Sequence, residues 1–402
     1  MLTGFSIILN TMEKNNRQNM ILQKLLSFIN NRFTRIIFLF FLLMTVFSGC
    51  KVGRFVWYNF SDITDYKIFP SRPLHKSSAP FHFIEAVQNE NAEKRITIEN
   101  YAHEKMDMKT FLEKSPTVAF LVIRNDSLLY ERYYRDYEAG SPVASFSMAK
   151  SYVSALIGIA IAEGKIKSED DPVVNYITEL KGKKGWDKVT IHHLLQMASG
   201  VKFGEGYNTP FSGAASFYYG RTLRKSIARL KIEKEPMSGF DYKSVNSELL
   251  GLIIERATGK HMTEYLDEKI WQPLGMEYDG SWSIDKKDNG LEKAFCCINA
   301  KARDFAKFGR LYLNKGNWNG QQIVPADWVQ KSLAINTEPG TDWYYNRQWW
   351  LASKEDGDFS AVGHLGQYIY VYPKKNLVIV RLGVSRAKEE WINILRQVAK
   401  QF

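Results

Sequence analysis

The stretch from Ala144 to Gly164 constrains this chain more than any other, because its body is apolar on every face. A helix with no polar side has no surface to offer water, so the rest of the chain must enclose it. Ser145 or Ser147 is placed to cap its start, and Gly164 to stop it. Ser147 and Lys150 are three residues apart, on one face of the first turn. A serine there, with an amine one turn on, can be a nucleophile beside its base; the other reading is a capping serine followed by a lysine snorkelling to the surface. Burial would ease the loss of the lysine proton, since desolvation disfavours the charge.

The spacing alone is weak evidence. Ser-x-x-Lys starts at Ser48, Ser147, Ser199, Ser283 and Ser385, and only the copy at Ser147 opens a long apolar helix. At 402 residues the chain has room for one large or two medium domains. Residues 1–50 carry Lys14, Arg17, Lys24, Arg32 and Arg35 against Glu13, and the remaining excess of the +11 net charge is scattered. Without a basic stripe, nucleic-acid binding is not indicated. Of the three cysteines, Cys296 and Cys297 are adjacent; disulfide geometry resists pairing neighbours, so both are expected as small core residues. No metal-ligand spacing appears, and no metal or organic cofactor is expected.

In chain order, the apolar run 36–47 follows Arg32 and Arg35 and leads into Ser48-Gly49-Cys50. Positive flank, short apolar core and small residues are the parts of a signal peptide. The cysteine after Ser-Gly resembles a bacterial lipoprotein box, with Phe47 where such boxes place Leu. It implies a signal peptide over 1–49, lipid on Cys50 and a catalytic domain outside the cytoplasm, anchored to a membrane of the cell envelope. An uncleaved anchor helix is the alternative. Residues 50–100 read as a tether and N-terminal strap. Residues 117–124 and 127–134 form a hairpin around Asn125-Asp126, and 368–372 and 377–382 a second around Pro373–Asn376. Helices are expected at 190–200, 300–314 and 388–400, and residues 240–260 read as a loop entering a helix with a glycine stop. Consecutive helical residues point apart, which favours structural roles for His192 and His193. The architecture predicted is α/β (α+β): an antiparallel sheet from 101–165 and 285–402, flanked by helices, with a mostly helical insert at 166–284.

The order of several segments resembles the serine β-lactamase-like hydrolases: class C β-lactamases, D,D-peptidases, their esterase relatives and, nearest, 6-aminohexanoate-dimer hydrolases. The segments are Ser147-Met148-Ala149-Lys150, His193 to Gly200, Trp271-Gln272-Pro273-Leu274-Gly275-Met276 and Ala302-Arg303-Asp304. Tyr242-Lys243-Ser244 with Asn246 stands where the family has Tyr-x-Asn. For the third motif two registers are open. One is His364-Leu365-Gly366. The other, Ala361-Val362-Gly363, is preferred; it sets the His364 N–H beside that of Ser147 as an oxyanion hole and removes the motif's cationic side chain. The resemblance implies Ser147 as nucleophile, Lys150 and Tyr242 as its proton partners, and Gly363 and His364 at the third motif. Ser244, Asn246, Trp349 and Gln367 are the expected substrate contacts, and Trp343, Tyr344, Tyr345, Trp349 and Trp350 line either the cleft or, as an equal alternative for each, the core. The implied activity is cleavage of a small or peptide-like ester or amide. A penicillin-sensitive D,D-peptidase or β-lactamase, and a catalytically silent binder of envelope ligands, are the alternatives.

Overall fold

The computed structural model describes residues 20, 35–37, 51–58, 61–86, 92–206, 209 and 211–402. Residues 38–47 of the apolar run and Ser48-Gly49-Cys50 lie outside them. Among the described residues no helix is long and apolar enough to cross a membrane. Residues 51–58 form a helix within one unit of the chain, and residues 60–402 make up a second, compact one.

The second unit is built on an eight-stranded sheet. Its strands are β1 (Ile84–Glu85), β2 (Thr117–Arg124), β3 (Ser127–Tyr133), β4 (Tyr345–Asn346), β5 (Trp349–Leu351), β6 (Phe359–Gly363), β7 (Gln367–Tyr372) and β8 (Leu377–Gly383), in the spatial order β4-β5-β6-β7-β8-β2-β3-β1. All pairs are antiparallel except the β1–β3 edge. Both predicted hairpins are present. Asn125 and Asp126 both have positive φ, the conformation a two-residue hairpin turn needs.

The central strands β7 and β8 are buried on both faces, which explains their unbroken apolar runs. On one face Phe120, Val122, Tyr368, Tyr370, Leu377 and Ile379 pack with Trp391, Ile394, Leu395 and Val398 of the last helix. On the other lies the helix Ala302–Leu313. Gly309 lets it approach closely, since a Cβ there would come 2.7 Å from Val378 and 2.8 Å from Ile369.

Three helices position the site: α1 (Ala149–Ala162), α2 (Ser244–Thr258) and α3 (Ala302–Leu313). Residues 149–160 of α1 are all buried, as an all-apolar helix requires. Neither Ser145 nor Ser147 caps it: a 3-10 turn, Phe146–Met148, precedes α1, and no side chain caps either element. Ser145 Oγ instead accepts from Ile298 N at 3.0 Å. The residues between α1 and α2 fold mainly as short helices. A second sheet crosses the expected boundaries, pairing Ser71–Leu74 from the strap with Gly280–Ser283, then Ile298–Ala300 and Val143–Ala144.

Candidate active site

Ser147 sits in the 3-10 turn at the entry to α1. The preceding Phe146 has φ +45°, a costly value for a bulky side chain. Its neighbours hold it there. Ser145 N donates to Ile298 O at 2.7 Å, and the Phe146 ring meets His364 edge-on with centroids 5.5 Å apart. The turn therefore presents Ser147 from a backbone fixed on both sides.

Lys150 is 1% exposed. Its ammonium donates to Ser147 Oγ at 3.0 Å, Ser244 Oγ at 3.2 Å and the Phe295 carbonyl at 2.7 Å. Burial pulls its pKa down to about 8, against the carboxylates of Glu205 and Glu248, which raise it. A lysine with this value is part neutral near pH 8 and able to accept a proton. The Tyr242 ring lies 5.2 Å from Lys150 Nζ, and its phenol is hydrogen-bonded to Ser147. Burial raises the phenol pKa far more than the Ser147 bond lowers it, so Tyr242 keeps its proton at neutral pH.

Ser244 opens α2. Both its N–H and its hydroxyl donate to Glu205, at 2.7 and 2.5 Å. The Phe295 carbonyl is held by the turn around it: Trp282 Nε1 donates to the carbonyls of Lys293 and Cys296, and Glu248 accepts from Ala294 N at 2.9 Å. In that turn Cys296 and Cys297 are disulfide-bonded, not the free core thiols expected. Both are buried as predicted, but Cys297 takes φ +76°, a backbone state that ordinary pairing statistics for neighbours do not anticipate.

Strand β6 brings up the third segment. Gly363 packs so tightly on the Ser147 turn that a Cβ would lie 2.3 Å from Ser145 O. His364 follows it and lines a cavity of about 10 Å³ with Ser61, Phe146, Ser147, Tyr218, Phe295 and Cys296. That volume holds about one water-sized group. Gly366, the glycine of the other register, is packed against Arg381 instead.

The four expected substrate contacts divide. Ser244 reaches Lys150; the other three do not reach the cleft. Asn246 is buried, accepting from Ser199 Oγ at 2.5 Å and donating to Met197 Sδ. Trp349 is fully buried against Tyr312 and Phe359, because strand alternation turns it inward and Trp350 outward. Gln367 is spent on the backbone, bonding Gly383 through both ends and His364 O at 3.2 Å. Tyr345 is buried too, whereas Tyr344 and Trp350 are partly exposed and Trp350 lies 5.6 Å from the Tyr242 ring. His192 is held between Glu169 and Glu338, and His193 closes a capping box with Thr190. Glu205 and the Phe295 carbonyl were not found from the sequence.

Among the described residues, Glu255, His261 and Glu292 are spaced to hold a metal ion. Arg224 and Arg72 already pair with the two carboxylates at 2.7 and 2.8 Å.

The β-lactamase family profile matches residues 105–390. The 6-aminohexanoate-dimer hydrolase of Paenarthrobacter ureafaciens is 28% identical over 316 residues, which is 72% of this chain and 78% of that protein. Esterase EstB of Burkholderia gladioli is 29% identical over 186 residues, 41% of this chain and 47% of its own. A solved structure of a 6-aminohexanoate-dimer hydrolase homologue from Bacillus anthracis superposes with a TM-score of 0.74 at 27% identity, covering 84% of this chain and 91% of that one. The profile runs through Ser147, Tyr242 and Gly363 alike, and the chain belongs to the β-lactamase family.

Proposed function

We propose that this protein is a serine hydrolase of the cell envelope that cleaves an ester or amide through an acyl-enzyme on Ser147. The observation that carries the reading is the buried Lys150 amine, 3.0 Å from Ser147 Oγ with its pKa drawn to about 8. Neutral Lys150 takes the Ser147 proton as Oγ attacks the substrate carbonyl carbon. The carbonyl π bond opens to an oxyanion, which the backbone N–H groups of Ser147 and His364 would receive. Tyr242 gives its phenolic proton to the departing oxygen or nitrogen and recovers one from the Lys150 ammonium. Water then attacks the acyl-enzyme by the reverse transfers, freeing the acid and Ser147.

No lysine stands on β6, where penicillin-recognising relatives hold the substrate carboxylate. That favours simple esters and amides over β-lactams. Mass spectrometry of the detergent-solubilised full chain, quenched during turnover of p-nitrophenyl butyrate, is expected to find a butyryl group on the peptide bearing Ser147. An unmodified Ser147 peptide and no nitrophenol release would overturn the reading in favour of a silent ligand-binding member.

The envelope assignment rests on the signal-like run and Cys50. An alkynyl fatty acid fed to producing bacteria is expected to label the wild type and not Cys50→Ala. Equal labelling of both would remove the lipid anchor.

A further inference from the structure

Lys150 must offer its lone pair to Ser147 and to nothing else. A neutral amine has two N–H donors and one lone pair. The Phe295 carbonyl, 2.7 Å away, has no hydrogen and takes one N–H. Ser244 Oγ, at 3.2 Å, is ambiguous: a hydroxyl donates or accepts according to where its hydrogen points. Were it to donate to Lys150, it would occupy the lone pair and quench the base.

We propose that Glu205 is the positioning residue that prevents this: by taking the Ser244 hydroxyl hydrogen, it leaves Ser244 Oγ only an acceptor toward Lys150 and so directs the amine lone pair at Ser147. Ser244 Oγ donates to one carboxylate oxygen at 2.5 Å and Ser244 N to the other at 2.7 Å. Carboxylate oxygens carry no hydrogen, so the polarity of the chain Glu205–Ser244–Lys150–Ser147 runs one way. The second contact also fixes the carboxylate. Ser244 is the first residue of α2, Lys243 at the N-cap position makes no side-chain cap, and Glu205 supplies the missing acceptor from a distant loop.

The inference rests on the serine-hydrolase reading and adds to it a residue outside the three motifs. Among the described residues, the charged and titratable groups around Lys150 are Glu205, Glu248 and Tyr242; Lys293 lies behind Glu248, and Arg386 acts on Tyr242. Of these, only Glu205 reaches Lys150 through a hydroxyl whose direction it sets.

The test is Glu205→Gln, made alone and with Ser244→Ala, and compared with Ser244→Ala. A glutamine amide presents one acceptor and one donor end, so it cannot hold both Ser244 hydrogens. Alone, Glu205→Gln is expected to lower kcat/KM for p-nitrophenyl butyrate about 10-fold or more. It is expected to move the Lys150 titration, followed by NMR of the full chain carrying ¹⁵N-lysine, down by about one pH unit. Assayed above about pH 9, where Lys150 is neutral in every variant, Glu205→Gln should change kcat/KM less than twofold in the Ser244→Ala background, because no hydroxyl is left to quench the amine. Glu205→Asp should restore part of the loss. An equal rate loss in both backgrounds, or an unmoved Lys150 titration, overturns the proposal. If the wild type turns over no ester, the hydrolase reading fails, and the proposal is decided by whether Glu205→Gln moves the Lys150 titration differently with and without the Ser244 hydroxyl; equal shifts overturn it.

Discussion

Ser147→Ala and Lys150→Met are each expected to lower kcat/KM for p-nitrophenyl butyrate by about 10⁴-fold, with the double variant no worse than either single one. Nucleophile and base act as one unit: an alanine has nothing to deprotonate, and a serine without its base is an ordinary alcohol. Lys150→Met separates this from a folding defect. The side chain is 1% exposed and its charge is held by neutral acceptors, so a methionine of similar length removes a desolvation penalty. The Met variant should unfold at the same urea concentration as the wild type, or higher. Retained turnover in either single variant would exclude Ser147 and Lys150 as the reacting pair.

The same pair fixes a pH dependence. In the proposed mechanism Lys150 acts only when neutral, and burial draws its pKa to about 8. Below that value the neutral fraction falls tenfold per pH unit, so wild-type kcat/KM should rise steeply to about pH 8 and then level. The sign follows from burial outweighing Glu205 and Glu248; a lysine ruled by those carboxylates would place the rise well above pH 10.

What the sequence disclosed about this site divides by the kind of signal each residue leaves. Ser147 and Lys150 were legible because helical spacing joins them on one face and only one of the five tetrads opens an apolar helix. The hairpins were legible through strand runs and the Asn125-Asp126 turn. Glu205 leaves no such trace. It meets Ser244 across 39 residues of chain, from a loop with no pattern of its own. The Phe295 carbonyl is invisible for a deeper reason, since a backbone acceptor has no residue preference. Trp349 was misplaced because five aromatics between Trp343 and Trp350 gave no phase; only the pairing of β5 with β6 shows that Trp349 faces in and Trp350 out. The Cys296–Cys297 bond was missed by applying a rule about ordinary backbone to a residue in the left-handed region.

Tyr242→Phe is expected to distinguish substrates rather than abolish activity. The phenol keeps its proton, because burial raises its pKa beyond what the Ser147 hydrogen bond takes back. In the proposed mechanism it therefore serves as an acid toward the leaving group. p-Nitrophenolate departs as a stable anion and needs no proton, so the variant should keep its ester turnover to within about 10-fold. An alkyl amide cannot expel a free amide anion and must be protonated at nitrogen as the C–N bond breaks. On an amide substrate the loss should be about 10²–10⁴-fold, the usual worth of a positioned general acid. Phenylalanine keeps the ring on Trp350 and Tyr345, 5.6 and 6.0 Å away, so the cleft wall should survive the change. Equal losses on both substrates would make Tyr242 a partner of Ser147 activation. A loss on neither would confine the proton traffic to Lys150 and leave the phenol as packing.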